Sequence, residues 1–167
     1  MNNKLKNIMF VAGVHGSGKS TYCKFEKERA GIAHFSCSEI IKEKRKLGEQ
    51  KKKLKIAKNV EANQPDLIDY LNNEIEESEI ILDGHFSLFT ENYEIHAISK
   101  KTFLAMPIKS IVITLAEPEC IVDRLALRDG VKHPVEHISK LQDVELSRAK
   151  AISSELGVRL IIIDTTT

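Results

Sequence analysis

Eight consecutive residues, Gly13-Val14-His15-Gly16-Ser17-Gly18-Lys19-Ser20, restrict what this chain can fold into more than anything else in it. They satisfy the pattern G-x-x-x-x-G-K-[ST] at every fixed position, and Thr21 follows. Ahead of them Ile8-Met9-Phe10-Val11-Ala12 is an apolar run of strand length, and behind them Ser20 to Ala30 reads as a helix stopped by Gly31. A strand, a glycine loop and a helix in that order are the context the pattern needs.

The residue types have a physical reason. Gly13, Gly16 and Gly18 reach backbone conformations closed to most residues, so successive N–H groups can turn inward and wrap a phosphate. The loop also opens onto a helix N-terminus, whose unpaired N–H groups and dipole favour an anion. Gly13, Val14, His15, Gly16, Ser17, Gly18, Lys19, Ser20 and Thr21 are therefore expected to hold the phosphates of a nucleoside triphosphate, taken as ATP. Lys19 would reach the β- and γ-phosphates as a point charge, and the Ser20 hydroxyl would ligate Mg²⁺.

A second signal lies downstream. Glu79-Ile80-Ile81-Leu82-Asp83 is an apolar strand ending in a carboxylate, which the buried sheet would deliver to its carboxyl edge, where a nucleotide lies. Asp83 is thus a candidate for the metal, directly or through water, and His85 follows it at the mouth of the site. Ala33 to Ser36 reads as a short second strand, and Ser110 to Leu115 and Val158 to Asp164 read as buried strands. Between them come helical stretches: a long one opening at Cys37, one starting at Asn63-Gln64-Pro65-Asp66, one from Pro118 and one from Pro134 to Leu156. Phe86 to Ile98 reads as a hairpin excursion. Strands alternating with helices imply one parallel sheet covered on both faces.

Arg124 and Arg128 stand four residues apart on one helical face, where both can reach the same anion. The stretch from Lys42 to Lys58 is strongly basic and carries no aromatic residue from Lys42 to Val60, so it reads as a solvated helix face or as a track for a polyanion without base stacking. The net charge of +1 decides nothing between these. Three cysteines, Cys23, Cys37 and Cys120, are odd in number and have no C-x-x-C spacing, so neither a disulfide framework nor a zinc site is expected. No run is long enough to span a bilayer, and Met1 to Lys6 is too short and polar for a signal peptide, so the expectation is a cytoplasmic protein with no membrane partner.

Taken together these residues resemble the nucleoside-monophosphate kinases among P-loop kinases, adenylate kinases above all. Ser36-Cys37-Ser38-Glu39-Ile40-Ile41-Lys42 is similar to their S-T-G-D-M-L-R, Leu82-Asp83-Gly84 to the L-D-G of their second signature, and Arg124-Leu125-x-x-Arg128 to the R-[LI]-x-x-R that opens the lid. The resemblance implies an α/β/α sandwich with a parallel sheet of about five strands in the order 2-3-1-4-5. It implies a single domain over 1–167, an acceptor-binding helical region at 36–62 and a short lid at 129–133. Glu39, Lys42 and His85 would face the acceptor. Lys19, Asp83, Arg128, Arg124 and Arg148 would act in catalysis.

The sequence also departs from that family. His85-Phe86-Ser87 follows Asp83-Gly84 where the family has F-P-R, and Lys42 cannot grip a phosphate bidentately as an arginine does. Two other readings therefore stay open: an ATP-binding switch acting on a protein partner, and a kinase for a polynucleotide 5′-hydroxyl or a small alcohol, in which Asp83 would be the general base.

Overall fold

The computed structural model describes residues 4–48, 60–90 and 92–167. Its centre is a five-stranded parallel sheet built from β1 (Asn7–Ala12), β2 (Ala33–Ser36), β3 (Glu79–Asp83), β6 (Ile108–Leu115) and β7 (Arg159–Asp164), in the order β2-β3-β1-β6-β7. Counting only these strands, the order is the 2-3-1-4-5 expected of an adenylate-kinase-like P-loop fold. Two further strands, β4 (Ser87–Phe89) and β5 (Ile95–Ala97), pair antiparallel as the hairpin excursion.

The apolar strands divide their side chains between two faces, as the two-residue period demands. Ile8, Phe10, Ile80, Leu82, Ile111 and Ile113 point into the larger core. There they meet Leu67 and Leu71 of α3 (Val60–Asn73), Phe103 of α4 (Lys100–Leu104), and Ala149 and Ile152 of α6 (Val135–Leu156). On the other face Val11, Ile81 and Val112 pack against Cys23 of α1 (Lys19–Ala30). A third cluster, with Val14, Ile121, Leu125 and Ile138, seats α5 (Pro118–Asp129) against α6 behind the glycine loop.

Register then places the chemistry. Asp83 pairs with Val11 on one side and Ser36 on the other, at the carboxyl edge where β1 runs into the glycine loop. The helix opening at Cys37 is α2 (Cys37–Gly48); residues 49–59, which include the rest of the basic stretch, lie outside the described residues. Gly31, Gly130 and Gly157 end α1, α5 and α6 in the left-handed conformation. Residues 130–134 connect α5 to α6. No helix among the described residues is long and apolar enough to cross a membrane.

Two expectations are corrected. Helix α3 does not start within Asn63-Gln64-Pro65-Asp66 but already runs from Val60, with Pro65 inside it. A proline this close to a helix start forfeits one backbone bond, while Glu61 and Ala62 before it are good helix formers. Strand β7 is not buried but forms the sheet edge, with Arg159, Ile162 and Asp164 exposed and Ile162 half open to solvent.

Candidate active site

The glycine loop is pinned to the sheet beneath it. Gly13 has φ 143°, and a Cβ there would lie 2.4 Å from Thr114 Oγ1 and 2.5 Å from Ser17 Oγ. Those two hydroxyls bond each other at 2.8 Å, and both residues are fully buried. Only glycine lets the loop leave β1 this close to β6.

Lys19 begins α1 with its side chain folded back over the loop. Its Nζ donates to the Gly13 carbonyl at 2.8 Å and lies 3.1 Å from Nε2 of His85. Burial lowers the Lys19 ammonium to about 8, against the opposing pull of Asp83 and Glu145. His85 is driven well below its ordinary value, first by burial and then by Lys19 and His15, so its neutral ring can accept from the ammonium. The rings of His15 and His85 are 4.5 Å apart, and His15 is lowered too, by desolvation and then by Lys19 and Arg128.

Asp83 stands across from these groups. One carboxylate oxygen meets Nε2 of His34, on the neighbouring strand β2, at 2.5 Å. Both side chains keep some exposure, 15% and 25%, because both line the main cavity. Nothing in the sequence reading singled out His34. Its signal was positional: it sits two residues before Ser36, which pairs with Asp83.

The three arginines part company. Arg124 donates to the Gly16 carbonyl at 3.0 Å, to Thr165 Oγ1 at 3.1 Å and to the Thr165 carbonyl at 2.6 Å. Thr165 Oγ1 in turn donates to the Ser17 carbonyl at 2.7 Å. Arg128, more exposed, forms a fork with its neighbour Asp129 at 3.0 and 3.1 Å and reaches the same cavity. Arg148 is not brought there: it donates to the Ile98 carbonyl, at the foot of the hairpin.

Glu145 lies in the middle of a long charged helix, where no local sequence signal marks it. It is fully buried and accepts from Phe86 N at 2.9 Å, Ser87 N at 2.9 Å and Ser87 Oγ at 2.9 Å. Burial raises its carboxyl above the ordinary value, while those hydrogen bonds and Lys19 oppose the rise. It fixes the backbone just after His85. Gly84 is equally constrained, since a Cβ there would sit 2.9 Å from Cys37 Sγ and 3.0 Å from the Phe10 ring. Gly84→Ala is expected to cost about 1–3 kcal/mol through overpacking, read as a lowered melting temperature.

All of this surrounds one cavity of about 1160 Å³, lined by His15, Lys19, Ser20, His34, Glu39, Lys42, Gln64, Asp83, His85, Arg124 and Arg128 among others. That exceeds the usual volume of a single-ligand pocket, about 300–1,000 Å³. The deeper wall is apolar, with Phe10, Leu67, Leu88, Phe103 and Met106. The Ser20 hydroxyl and Asp83 carboxylate, oxygen donors that line the same cavity, suit a hard cation such as Mg²⁺.

Comparison with known proteins agrees with this geometry. Residues 12–142 match the model of the AAA_17 family, an AAA domain. A protein of Thermococcus onnurineus named "Putative adenylate kinase" is 26% identical over 159 residues, spanning 95% of this chain and 75% of that one. Among solved structures, TT1252 from Thermus thermophilus aligns with a TM-score of 0.61 at 15% identity, over 98% of this chain and 90% of its own. A gluconokinase from Sinorhizobium meliloti aligns with a TM-score of 0.53 at 17% identity, over 98% and 84%. On its family match and its sheet order, the chain belongs to the AAA_17 family of AAA domains and is a P-loop protein of the adenylate-kinase-like fold.

Proposed function

We propose that the protein is an ATP- and Mg²⁺-dependent phosphotransferase whose acceptor is a nucleoside monophosphate. The observation that carries this reading is Lys19, an ammonium held within the loop it would share with the donor phosphates, facing a cavity with room for two substrates. The name of the Thermococcus relative points the same way. Phosphoryl transfer asks a protein chiefly for positioning and charge neutralisation.

Backbone N–H groups from Val14 to Lys19 would cradle the donor phosphates, and Lys19 would exchange Gly13 and His85 for phosphate oxygens. Ser20 and Asp83 would hold Mg²⁺, which when bound neutralises charge on the β- and γ-phosphates. Arg124 would keep the loop in shape from behind, and Arg128 would swing from Asp129 to the transferring group. Glu39, Lys42 and His85, with the region 36–62, would receive the acceptor. Arg148, through Ile98, would support the hairpin rather than touch substrate.

A second reading has its own observation. The His34–Asp83 pair is a carboxylate holding an imidazole at the cavity wall, an arrangement suited to taking a proton from an acceptor hydroxyl. A phosphate acceptor needs no such base. Labelled ATP and Mg²⁺ offered with nucleoside monophosphates, nucleosides, small polyols and a 5′-hydroxyl oligonucleotide separates the readings. Label on a monophosphate supports the first and label on an alcohol the second. Label released only as inorganic phosphate refutes both and favours the switch on a protein partner.

Lys19 also predicts a pH dependence. Bound phosphate favours the ammonium, so the bound-state pKa lies above the value of about 8 in the empty site. Below pH 8 the lysine is charged in either state and affinity is flat with respect to this group. Above it, binding must take up a proton, and affinity is expected to fall by up to about tenfold per pH unit until the bound-state pKa is passed. Titration of a non-hydrolysable ATP analogue from neutral pH upward checks this, and an affinity that stays level above pH 8 would contradict it.

A further inference from the structure

Behind the phosphate-binding groups, three side chains with different donor atoms converge. Cys23 comes from the middle of α1, His34 from β2 and Asp83 from the end of β3, and their Sγ, imidazole nitrogen and carboxylate oxygen all lie within 4.8 Å of one another. Among the described residues this is the one such grouping. We infer that Cys23, His34 and Asp83 form a binding site for a soft divalent cation of the Zn²⁺ class, separate from the Mg²⁺ expected with a nucleotide.

Geometry supports it. Tetrahedral zinc with one sulfur, one nitrogen and one oxygen ligand sets its donors roughly 3.3–3.6 Å apart. The observed spread, from 2.5 Å between His34 and Asp83 to the 4.8 Å limit, brackets that value. Small side-chain rotations would open the tight pair and draw in the sulfur. His34 and Asp83 line the cavity, which provides a path for the ion and leaves a fourth position facing open space. Cys23 closes the inner side: it is fully buried, is not in a disulfide, and its Sγ makes no hydrogen bond among the described residues.

The donor chemistry selects the ion. Mg²⁺ prefers an octahedron of oxygens, whereas one thiolate, one imidazole and one carboxylate suit Zn²⁺ and exclude Ca²⁺ and Mg²⁺. The thiol proton passes to solvent as the sulfur–metal bond forms. A buried cysteine by itself would be apolar filler. What distinguishes Cys23 is the partly exposed imidazole and carboxylate within reach of its sulfur. Because Asp83 belongs to both sites, zinc would withdraw it from the Mg²⁺–nucleotide complex and inhibit transfer. That consequence rests on the proposed function, but the binding itself does not.

The test is a titration of the full chain, free of nucleotide, with Co²⁺ as a spectroscopic stand-in. One equivalent is expected to raise a thiolate-to-cobalt charge-transfer band in the near ultraviolet, and Zn²⁺ to abolish it by displacement. Cys23→Ser should remove the band and weaken Zn²⁺ binding by roughly a hundredfold, while Cys120→Ser, on α5, leaves both unchanged. If Cys23→Ser does not fold, His34→Asn carries the same expectation for Zn²⁺ affinity. A wild-type protein without the band, or a band that survives Cys23→Ser, overturns the site. Zinc that binds as described without slowing transfer leaves the site standing and counts against Asp83 as a magnesium ligand.

Discussion

Lys19→Ala is expected to lower kcat/KM for phosphoryl transfer by on the order of a thousandfold while leaving the protein folded. The loss follows from placement. Lys19 Nζ is held 2.8 Å from the Gly13 carbonyl, at the glycine loop where the donor phosphates would sit, and alanine leaves that charge unreplaced. Stability should move the other way or not at all. Burial drops the ammonium from its ordinary 10.5 to about 8, so the empty fold bears a cost on the order of 3 kcal/mol for keeping it charged at neutral pH. For a lysine whose folded pKa is depressed, that cost is present at neutral pH and fades as pH rises through about 8 and on toward the unfolded value. Alanine removes it and gives up one bond to a carbonyl and one to His85. Melting temperature and transfer rate measured on the same preparation decide the matter. Retained activity would contradict the role, and a drop of several degrees would contradict the energetic account.

Glu145→Ala should do the reverse and strike stability first. The carboxylate is fully buried and receives two backbone N–H groups and one hydroxyl from Phe86 and Ser87. Alanine strands all three in a dry interior, each at about 1–3 kcal/mol, for a total of roughly 4 kcal/mol after partial relaxation. In a chain of this size that corresponds to a fall in melting temperature of about 10 °C. Glu145→Gln keeps the volume and one acceptor oxygen, so it should lose less. Activity should fall in both variants at temperatures where they remain folded, because Glu145 fixes the backbone next to His85. A melting point within a degree or two of wild type for Glu145→Ala would refute the account.

Much of this centre is legible in the sequence because the signals are local. The loop from Gly13 to Ser20 announces itself by glycine spacing, Asp83 by ending an apolar strand, and Arg124 and Arg128 by a separation that puts them on one helical face. What the sequence hides is set by tertiary neighbours. His34 becomes a partner of Asp83 only because β2 pairs with β3 in one register, and a register has no one-dimensional mark. Glu145 looks like surface charge, in a run with Asp143 and Arg148, until α6 is docked against the hairpin. Arg148 was expected at the phosphates on resemblance alone, but its helix carries it to the Ile98 carbonyl instead. Pro65 misled because a proline is a good sign of a helix start and a poor guide to how far upstream the helix has already begun.

The contacts that shape the glycine loop also bear on the order in which the chain can become functional. Ser17 is bonded to Thr114 on β6, Gly16 to Arg124 on α5, and Ser17 again to Thr165, 148 residues further along. The loop is made before all three of its fastening residues, Thr114, Arg124 and Thr165. Closing such distant contacts is slow and must await the strands that carry them. A nascent chain can therefore hold α1 and its glycines on the ribosome without a finished phosphate cradle. The loop takes its final shape only as Thr165, just after β7, reaches the Ser17 carbonyl.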